Sequence, residues 1–366
     1  MNANRVRRMA RGLLVPVLAI VAGMLVASVF ILMAGANPLS AYADMFRTGF
    51  GCTSLSRCSL ITTLQLATPL VLTGISAVVA FRSGLFSIGQ EGQLILGGMM
   101  AAWLGYAVDL PPLIHPAVAI LAAMLVGGIY GWFPGVLKVK LGVNEIISTI
   151  VLNTIAHLFV TYLINFPLRA DQSTTAYSPV INETAKLLPF TAGAKFGPGF
   201  ILALIVVAVV SIRLWRTTGG YEERMAGQAP GFALFGGVPR DFAAIRGMFI
   251  SGAIAGLAGA IQALGVHYRM LGGFSAGLGF DGLTAAILAQ VHPIGTAAVA
   301  IFFAGLRQGA QVGLQFSSDV PRELGGGIIA LMILFVSADR LFRANIGRFE
   351  AAWQRVQAAR PKREAV

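Results

Sequence analysis

The sequence predicts an all-α polytopic membrane protein, and three observations carry that expectation. Hydrophobic residues make up 56% of the chain and charged residues only 11%, against about a quarter charged in soluble domains, and the mean hydropathy is +0.77. The apolar residues come in long unbroken runs rather than alternating ten-residue ones, which selects helices over barrel strands. Lys and Arg collect just outside alternate runs, where they orient membrane segments. The net charge of +12 is therefore read as a topology signal and not as the mark of a nucleic-acid partner.

About ten transmembrane segments are expected, at 13–34, 60–81, 86–108, 116–137, 146–166, 200–214, 242–266, 283–291, 294–308 and 325–342. About 20 apolar residues cross a bilayer, so 283–291 is half-length, ends at His292-Pro293, and is read as re-entrant or tilted. The first run lacks a small-residue cleavage site and is read as a retained helix. With the N-terminus placed in the cytoplasm, 19 Lys and Arg fall on that side and 7 on the other, leaving Arg307 within a segment. Both termini are then cytoplasmic, and residues 1–366 form a single transmembrane domain. Residues 213–241 make the largest inner loop, 343–366 a basic cytoplasmic tail, and about 167–198 the largest outer loop. Cys52 and Cys58 share one outer loop, either as free thiols or as a disulfide.

The least ordinary stretch runs from Phe81 to Gly98. A membrane-length apolar run is entered through Ser87, Gln90, Glu91 and Gln93, with Gly84, Gly89 and Gly92 among them. Buried polar groups there are costly unless they face protein or water. A helix start with packing glycines is one reading. A discontinuous element lining a pathway is the other, and the number of polar groups favours it. Glu91 pairing with Arg82, or capping its own helix, is a competing structural role. A faint echo follows in the other half of the chain: Phe86-Ser87-Ile88-Gly89 leads to Glu91-Gly92, and Phe274-Ser275-Ala276-Gly277 leads to Asp281-Gly282. Two weakly related halves are expected, with breaks near 84–93 and 272–293, because paired glycine-interrupted segments point to a transport site. Gln90, Glu91, Gln93, Asn153, Phe280 and Asp281 are the expected path lining.

Other motifs mostly exclude chemistry. No phosphate-binding G-x-x-x-x-G-K-[ST] occurs, and Gly277-x-Gly279-x-x-Gly282 follows no strand, so neither ATP hydrolysis nor dinucleotide binding is expected. The four histidines are too far apart for a zinc site. No catalytic residue, metal site or cofactor is expected in this chain. Small-residue runs at Gly127/Gly131/Gly135, Gly252/Gly256 and Gly305/Gly309/Gly313 are read as close helix contacts; Arg307 either snorkels outward or pairs with a buried acid, and the ion pair is favoured. Asn144 and Glu145 suit a helix start. Asn153 and His157, four apart, are expected on one face, toward a cavity or another helix. An ion-coupled secondary transporter acting alone would want several carboxylates at membrane depth, and none sits convincingly mid-span.

The inner loop holds an apolar run, Phe232-Ala233-Leu234-Phe235, with Pro230 suited to a helix start and Gly236-Gly237 to its end. An exposed run of this kind on a solvated loop is a docking face.

These stretches together resemble a family. Phe86-Ser87-Ile88-Gly89-Gln90-Glu91-Gly92-Gln93 is similar to the F-N-I-G-x-E-G-Q signature of permease subunits of bacterial ABC importers, in the branch for nucleosides and simple sugars of the branched-chain amino acid and ribose permease superfamily. Asn144-Glu145-Ile146-Ile147-Ser148-Thr149 with Leu152-Asn153 resembles that branch's N-E-V-I-S-T-x-x-L-N. Gly279-Phe280-Asp281-Gly282 with Ala289, His292, Pro293 and Gly295 resembles its later G-F-x-G stretch. Arg224, Gly227, Pro230, Ala233, Gly237 and Val238 follow the inner-loop pattern, with Ala229, Phe232 and Ser87 as departures. The resemblance implies a permease subunit in the bacterial inner membrane, moving a nucleoside or simple sugar by alternating access. It implies as partners a second permease subunit in a heterodimer, ABC ATPase subunits that bind the ATP, an extracytoplasmic solute-binding protein and membrane lipid. Coupling to the ATPases would fall to Arg224, Gly227, Pro230, Phe232, Phe235 and Gly237.

Overall fold

A computed structural model describes residues 21–33, 35–52, 58–170, 175–190, 197–314, 326–327 and 330–331. The regular elements among them are helical: α1 Val21–Met33, α2 Pro38–Phe50, α3 Ser59–Arg82, α4 Gln90–Ala107, α5 Ile114–Leu141, α6 Glu145–Asn165, α7 Pro198–Arg216, α8 Thr218–Gln228, α9 Pro230–Phe235, α10 Arg240–Gln262, α11 Leu278–Leu288 and α12 Pro293–Gln308. The expected all-α class holds. Among the described residues five helices are long and apolar enough to cross a membrane (α3, α5, α6, α7, and α10 with the turn after it), or six if the bent pair α1–α2 counts as one span. Of the other expected segments, α4 is 18 residues long and begins with polar residues, and α12 and α11 have 16 and 11 residues. The parts of the expected first and last segments at 13–20 and 332–342, and the tail 343–366, lie outside the described residues.

The chain divides into two compact units, Phe46–Gln308 and the terminal segments Met1–Met45 with Gly309–Val366. In the terminal unit, the Tyr42 hydroxyl donates to the Met24 carbonyl and meets Ser28 Oγ at 3.2 Å, joining α1 to the start of α2. In the larger unit α3 and α10 form the interior, with 78% and 72% of their apolar windows buried, whereas α5, α6 and α7 have only 28%, 22% and 28% buried. Apolar surface left outward on membrane-length helices suits lipid or another helix, not water.

Glycine faces set the interior packing. A Cβ on Gly97 would lie 2.5 Å from Gly256 Cα, and one on Gly131 3.0 Å from Gly252 Cα, so α10 packs backbone-close against α4 and α5. The third run makes close contacts as well: a Cβ on Gly305 would run into the Phe50 ring and one on Gly309 into the Met45 carbonyl, both on α2, even though α12 ends at Gln308 and Gly309–Gly313 is a π turn. Asn144 caps α6 as expected, its Oδ1 accepting from the Ile146 and Ile147 amides, and Glu145 pairs with Lys138 at 2.9 Å. The described part of the loop between α6 and α7 is packed: the Ile181 amide donates to the Tyr268 carbonyl and the Asn182 amide to the Gly105 carbonyl. Cys52 and Cys58 are joined as a disulfide.

Candidate functional site

The break between α3 and α4 is where the polar residues collect. After Arg82 the chain turns at Ser83 and Gly84, which has φ +89°, runs without regular structure through Leu85–Ile88, and resumes helix at Gln90. Three hydrogen bonds from two side chains of α6 hold this stretch. The Asn153 carboxamide on α6 donates to the Ile88 carbonyl (2.8 Å) and accepts from the Gly92 amide (2.9 Å), and Thr149 Oγ1 accepts from the Ile88 amide at 3.3 Å. The Ile88 amide and carbonyl and the Gly92 amide are thereby paired within the protein. Gly92 is needed for the approach, since a Cβ there would lie 2.9 Å from Asn153 Oδ1.

Glu91 reaches across to the other half of the chain. Its Oε1 accepts from the Gly277 amide (3.2 Å) and its Oε2 from the Gly279 amide (2.7 Å), at the start of α11. The carboxylate thus satisfies orphan donors at the N-terminus of a half-length helix, where negative charge is favoured. A Cβ at Gly279 would lie 2.6 Å from Glu91 Cα, so only glycine fits. The two echoing stretches therefore meet. Glu91 neither pairs with Arg82 nor caps α4, which corrects the competing structural reading. Arg82 instead donates from Nε and Nη2 to the Val291 carbonyl, at 3.1 and 2.9 Å, just beyond the far end of α11. Residues on either side of one break thus hold both ends of α11, anion at its start and cation at its finish, the arrangement its dipole favours.

Gln90 and Gln93 are the unusual members. Gln90 is 0% exposed, and neither atom of its carboxamide has a hydrogen-bond partner. It shares a helix face with Leu94 and Gly97, the face that α4 turns toward Gly259 and Gly256 of α10. Gln93 is 1% exposed, its Oε1 also lacks a partner, and its Nε2 lies over the glycine surfaces of Gly89 and Gly131. A buried amide left unpaired costs about 1–3 kcal/mol per group, which is tolerated where the group serves a second state or a ligand. Ser275 Oγ, 2% exposed, is a third such group.

The remaining expected path residues are placed differently. Asp281 is ion-paired with Arg307, which also donates to the Ala276 carbonyl at 3.1 Å, so the acid expected to partner Arg307 is one of the expected lining residues. Phe280 is 44% exposed on the outside of α11. Asn153 spends its amide on the backbone of the break. His157 is exposed while Asn153 is buried, so the expectation that the two share a facing surface fails: the buried stripe of α6 runs through Thr149, Asn153, Ala156 and Val160. An open apolar groove of about 300 Å³ lies between α4, α5 and α6, lined by Met99, Trp103, Phe159 and Leu163 among others, and includes none of the expected path residues.

The second collection of residues is on α8 and α9. Pro230 opens α9, and Gly236 and Gly237 (φ +70°) end it. Ala233 is fully buried, while Phe232, Leu234 and Phe235 point outward, Phe235 at 93% exposure. Beneath them α8 is fixed by charge. The buried Glu223 carboxylate takes two bonds from Arg213 of α7 and one from Arg246 of α10, and Arg246 also pairs with Glu222 at 3.0 Å. Arg224 is not on the exposed surface with Phe235: its guanidinium lies 4.4 Å from the Trp215 ring centroid, and Arg82 approaches the same ring at 5.6 Å. Gly227 abuts the break itself, since a Cβ there would lie 2.8 Å from Gly84 N. The ion network and the Trp215 contact were not foreseen, although Glu222, Glu223, Arg213 and Arg246 flanking one short helix is the signal that could have found them.

Residues 59–337 match the sequence model of the family described as branched-chain amino acid transport system, permease component. The guanosine ABC transporter permease protein NupP of Bacillus subtilis is 34% identical over 344 residues, covering 92% of this chain and 97% of that protein. The nucleoside ABC transporter permease protein NupB of Lactococcus lactis is 30% identical over 93% of this chain and 95% of its own. A second guanosine ABC transporter permease protein of Bacillus subtilis, NupQ, is 25% identical over 79% of this chain and 92% of its own.

Proposed function

The chain belongs to the family of branched-chain amino acid transport system permease components, and from that premise we propose that it is the membrane-spanning subunit of an ABC importer for nucleosides. The observation that carries this reading is similarity along nearly the whole chain to permeases named for guanosine and nucleosides, ahead of simple sugars. The subunit performs no covalent step; ATP is bound and hydrolysed in separate ABC ATPase subunits. A second permease subunit completes the path, a pairing supported by the likeness of this chain to two guanosine permeases of one organism. An extracytoplasmic solute-binding protein delivers the cargo. The complex sits in the bacterial inner membrane with both termini of this chain cytoplasmic and the Cys52–Cys58 loop on the oxidising side.

Within it α8 and α9 form the cytoplasmic coupling element, with Phe232 and Phe235 docking on an ATPase and Arg224, Gly227, Pro230 and Gly237 shaping the helices that present them. Gln90, Glu91 and Gln93 border the solute path, where unpaired carboxamides offer donors and acceptors to a base or a ribose. Asn153, Phe280 and Asp281 support that border: Asn153 fixes the break, Asp281 fixes α11 through Arg307, and Phe280 presents a ring for stacking. ATP-driven closure of the ATPases moves the coupling helices and switches the access of the path. An ion-coupled carrier acting alone is not favoured.

Phe235→Asp tests the coupling role. A charge in the docking face should abolish stimulation of ATP hydrolysis by the loaded binding protein, with the permease pair still assembled. Normal nucleoside uptake by this variant contradicts the docking assignment.

A further inference from the structure

Arg82 touches four parts of the molecule at once. It ends α3, and its carbonyl and the backbone of Gly84 beside it abut Gly227 of α8. Its guanidinium lies over Trp215, the ring that Arg224 of α8 covers from closer range. Its forked donors both reach the Val291 carbonyl between α11 and α12. That turn is strained: Gln290 has φ +53° and Val291, a β-branched residue, φ +59°. Side chains other than glycine occupy that region at a cost, and they do so where the surroundings hold them. A bidentate, charge-assisted fork is well suited to hold a carbonyl in one place.

The contacts on the far side of α11 are equally fixed. Glu91 holds its first amides, Thr73 Oγ1 donates to the Leu278 carbonyl at 3.1 Å, and a Cβ at Gly282 would lie 2.7 Å from Gly74 N. The helix therefore has little freedom of its own. A displacement at α8 reaches it through Arg82 and the turn that Arg82 grips.

We propose that Arg82 is a positioning residue that locks the α11–α12 turn to the coupling helix α8, so that the two move as one body during transport. This rests on the reading of α8–α9 as the ATPase-coupling element. Arg82→Gln keeps length and polarity but removes the charge, the two-donor fork and the contact with Trp215.

The experiment uses the complete complex in proteoliposomes and reads two quantities. The first is ATP hydrolysed per solute moved. The second is the distance between spin labels at 221 and 287, both exposed positions, on α8 and α11. Wild-type label distance stays the same with and without trapped nucleotide. In Arg82→Gln, assembly and stimulated hydrolysis persist, ATP per solute rises about tenfold, an ordinary size for a coupling term, and the distance distribution broadens between states. A stoichiometry within about twofold of wild type, or a wild-type distance that changes with nucleotide, overturns the proposal. Should Arg82→Gln fail to assemble, Arg82→Lys decides. It keeps the charge with a weaker hold, so ATP per solute rises by about threefold, and an unchanged ratio refutes the positioning role. Phe235→Asp separates the two levels: normal uptake in that variant removes the coupling-element reading, whereas uncoupling there with wild-type behaviour in Arg82→Gln removes only the role of Arg82.

Discussion

The two breaks flanking the bundle interior share a sequence echo and differ in how they are held. The break before α4 borrows its support from neighbouring side chains: Asn153 and Thr149 take its backbone groups, and its positive φ falls on Gly84. The one around α11 carries its own strain, with positive φ at Ala276, Gln290 and Val291 as well as at Gly273 and Gly277. It is kept in place by the first break, through Glu91 at one end of α11 and Arg82 at the other. The first break is the anchor and the second is what it positions. The first break also abuts Gly227 of α8, so α11, the break that holds it and α8 form one connected unit.

Glu91→Leu should break this relation most severely. It strands two buried amides at the start of α11, each costing about 1–3 kcal/mol, so hydrogen exchange at Gly277 and Gly279 should accelerate by two to three orders of magnitude, while Glu91→Gln keeps one acceptor and gives a smaller effect. Unchanged protection in the Leu variant would mean that the first break does not hold the second. Gly279→Ala comes next. It drives a methyl into Glu91 backbone and should cost about 1–3 kcal/mol, as overpacking does, read as loss of thermal stability of the purified complex; wild-type stability would show that the two stretches part easily. Asn153→Leu should cost about 2 kcal/mol by leaving the Ile88 carbonyl and Gly92 amide unpaired, and the exchange should quicken at 86–92 and not at 277–279. Equal effects at both breaks would erase the distinction between anchor and dependent. Val291→Gly is the mildest test and has the opposite sign, because relieving a left-handed valine should stabilise the turn by about 1 kcal/mol. A loss of stability there would mean that the valine side chain matters more than the strain.

Much of this was legible in the residues. Pro230 and Gly236-Gly237 bounded α9, Asn144 announced the start of α6, and Gln90, Glu91 and Gln93 at the mouth of an apolar run marked a break, because each rule depends only on neighbours in sequence. A half-length segment was legible too, although α11 runs Leu278–Leu288, five residues ahead of its apolar run at the start and short of His292 at the end, and Pro293 opens α12 rather than stopping α11. What could not be read is pairing across distance. Nothing local tells Glu91 to bond Gly277 and Gly279, about 190 residues away, or tells Arg82 to choose Val291 over Glu91. Nor does a period of four decide that Asn153 is buried and His157 exposed, since Asn153 lies within the buried stripe of α6 and His157 just beyond its edge. The expectation of about ten segments relied on apolar runs alone: α4 yields the first part of its run to the polar break, and α11 and α12 are only 11 and 16 residues long.

The account rests on this chain completing an ATP-driven nucleoside path bordered by the first break. The most direct test is uptake of radiolabelled nucleoside into proteoliposomes holding this chain with its second permease and ATPase subunits, with loaded binding protein outside and ATP inside, for wild type and Gln90→Leu. The account predicts ATP-dependent accumulation by wild type, and in the assembled Gln90→Leu complex a drop of at least about tenfold in uptake with basal ATP hydrolysis retained, the size expected when a path group loses its hydrogen bonds. Accumulation that follows an ion gradient without ATP, or full uptake by Gln90→Leu, would contradict it.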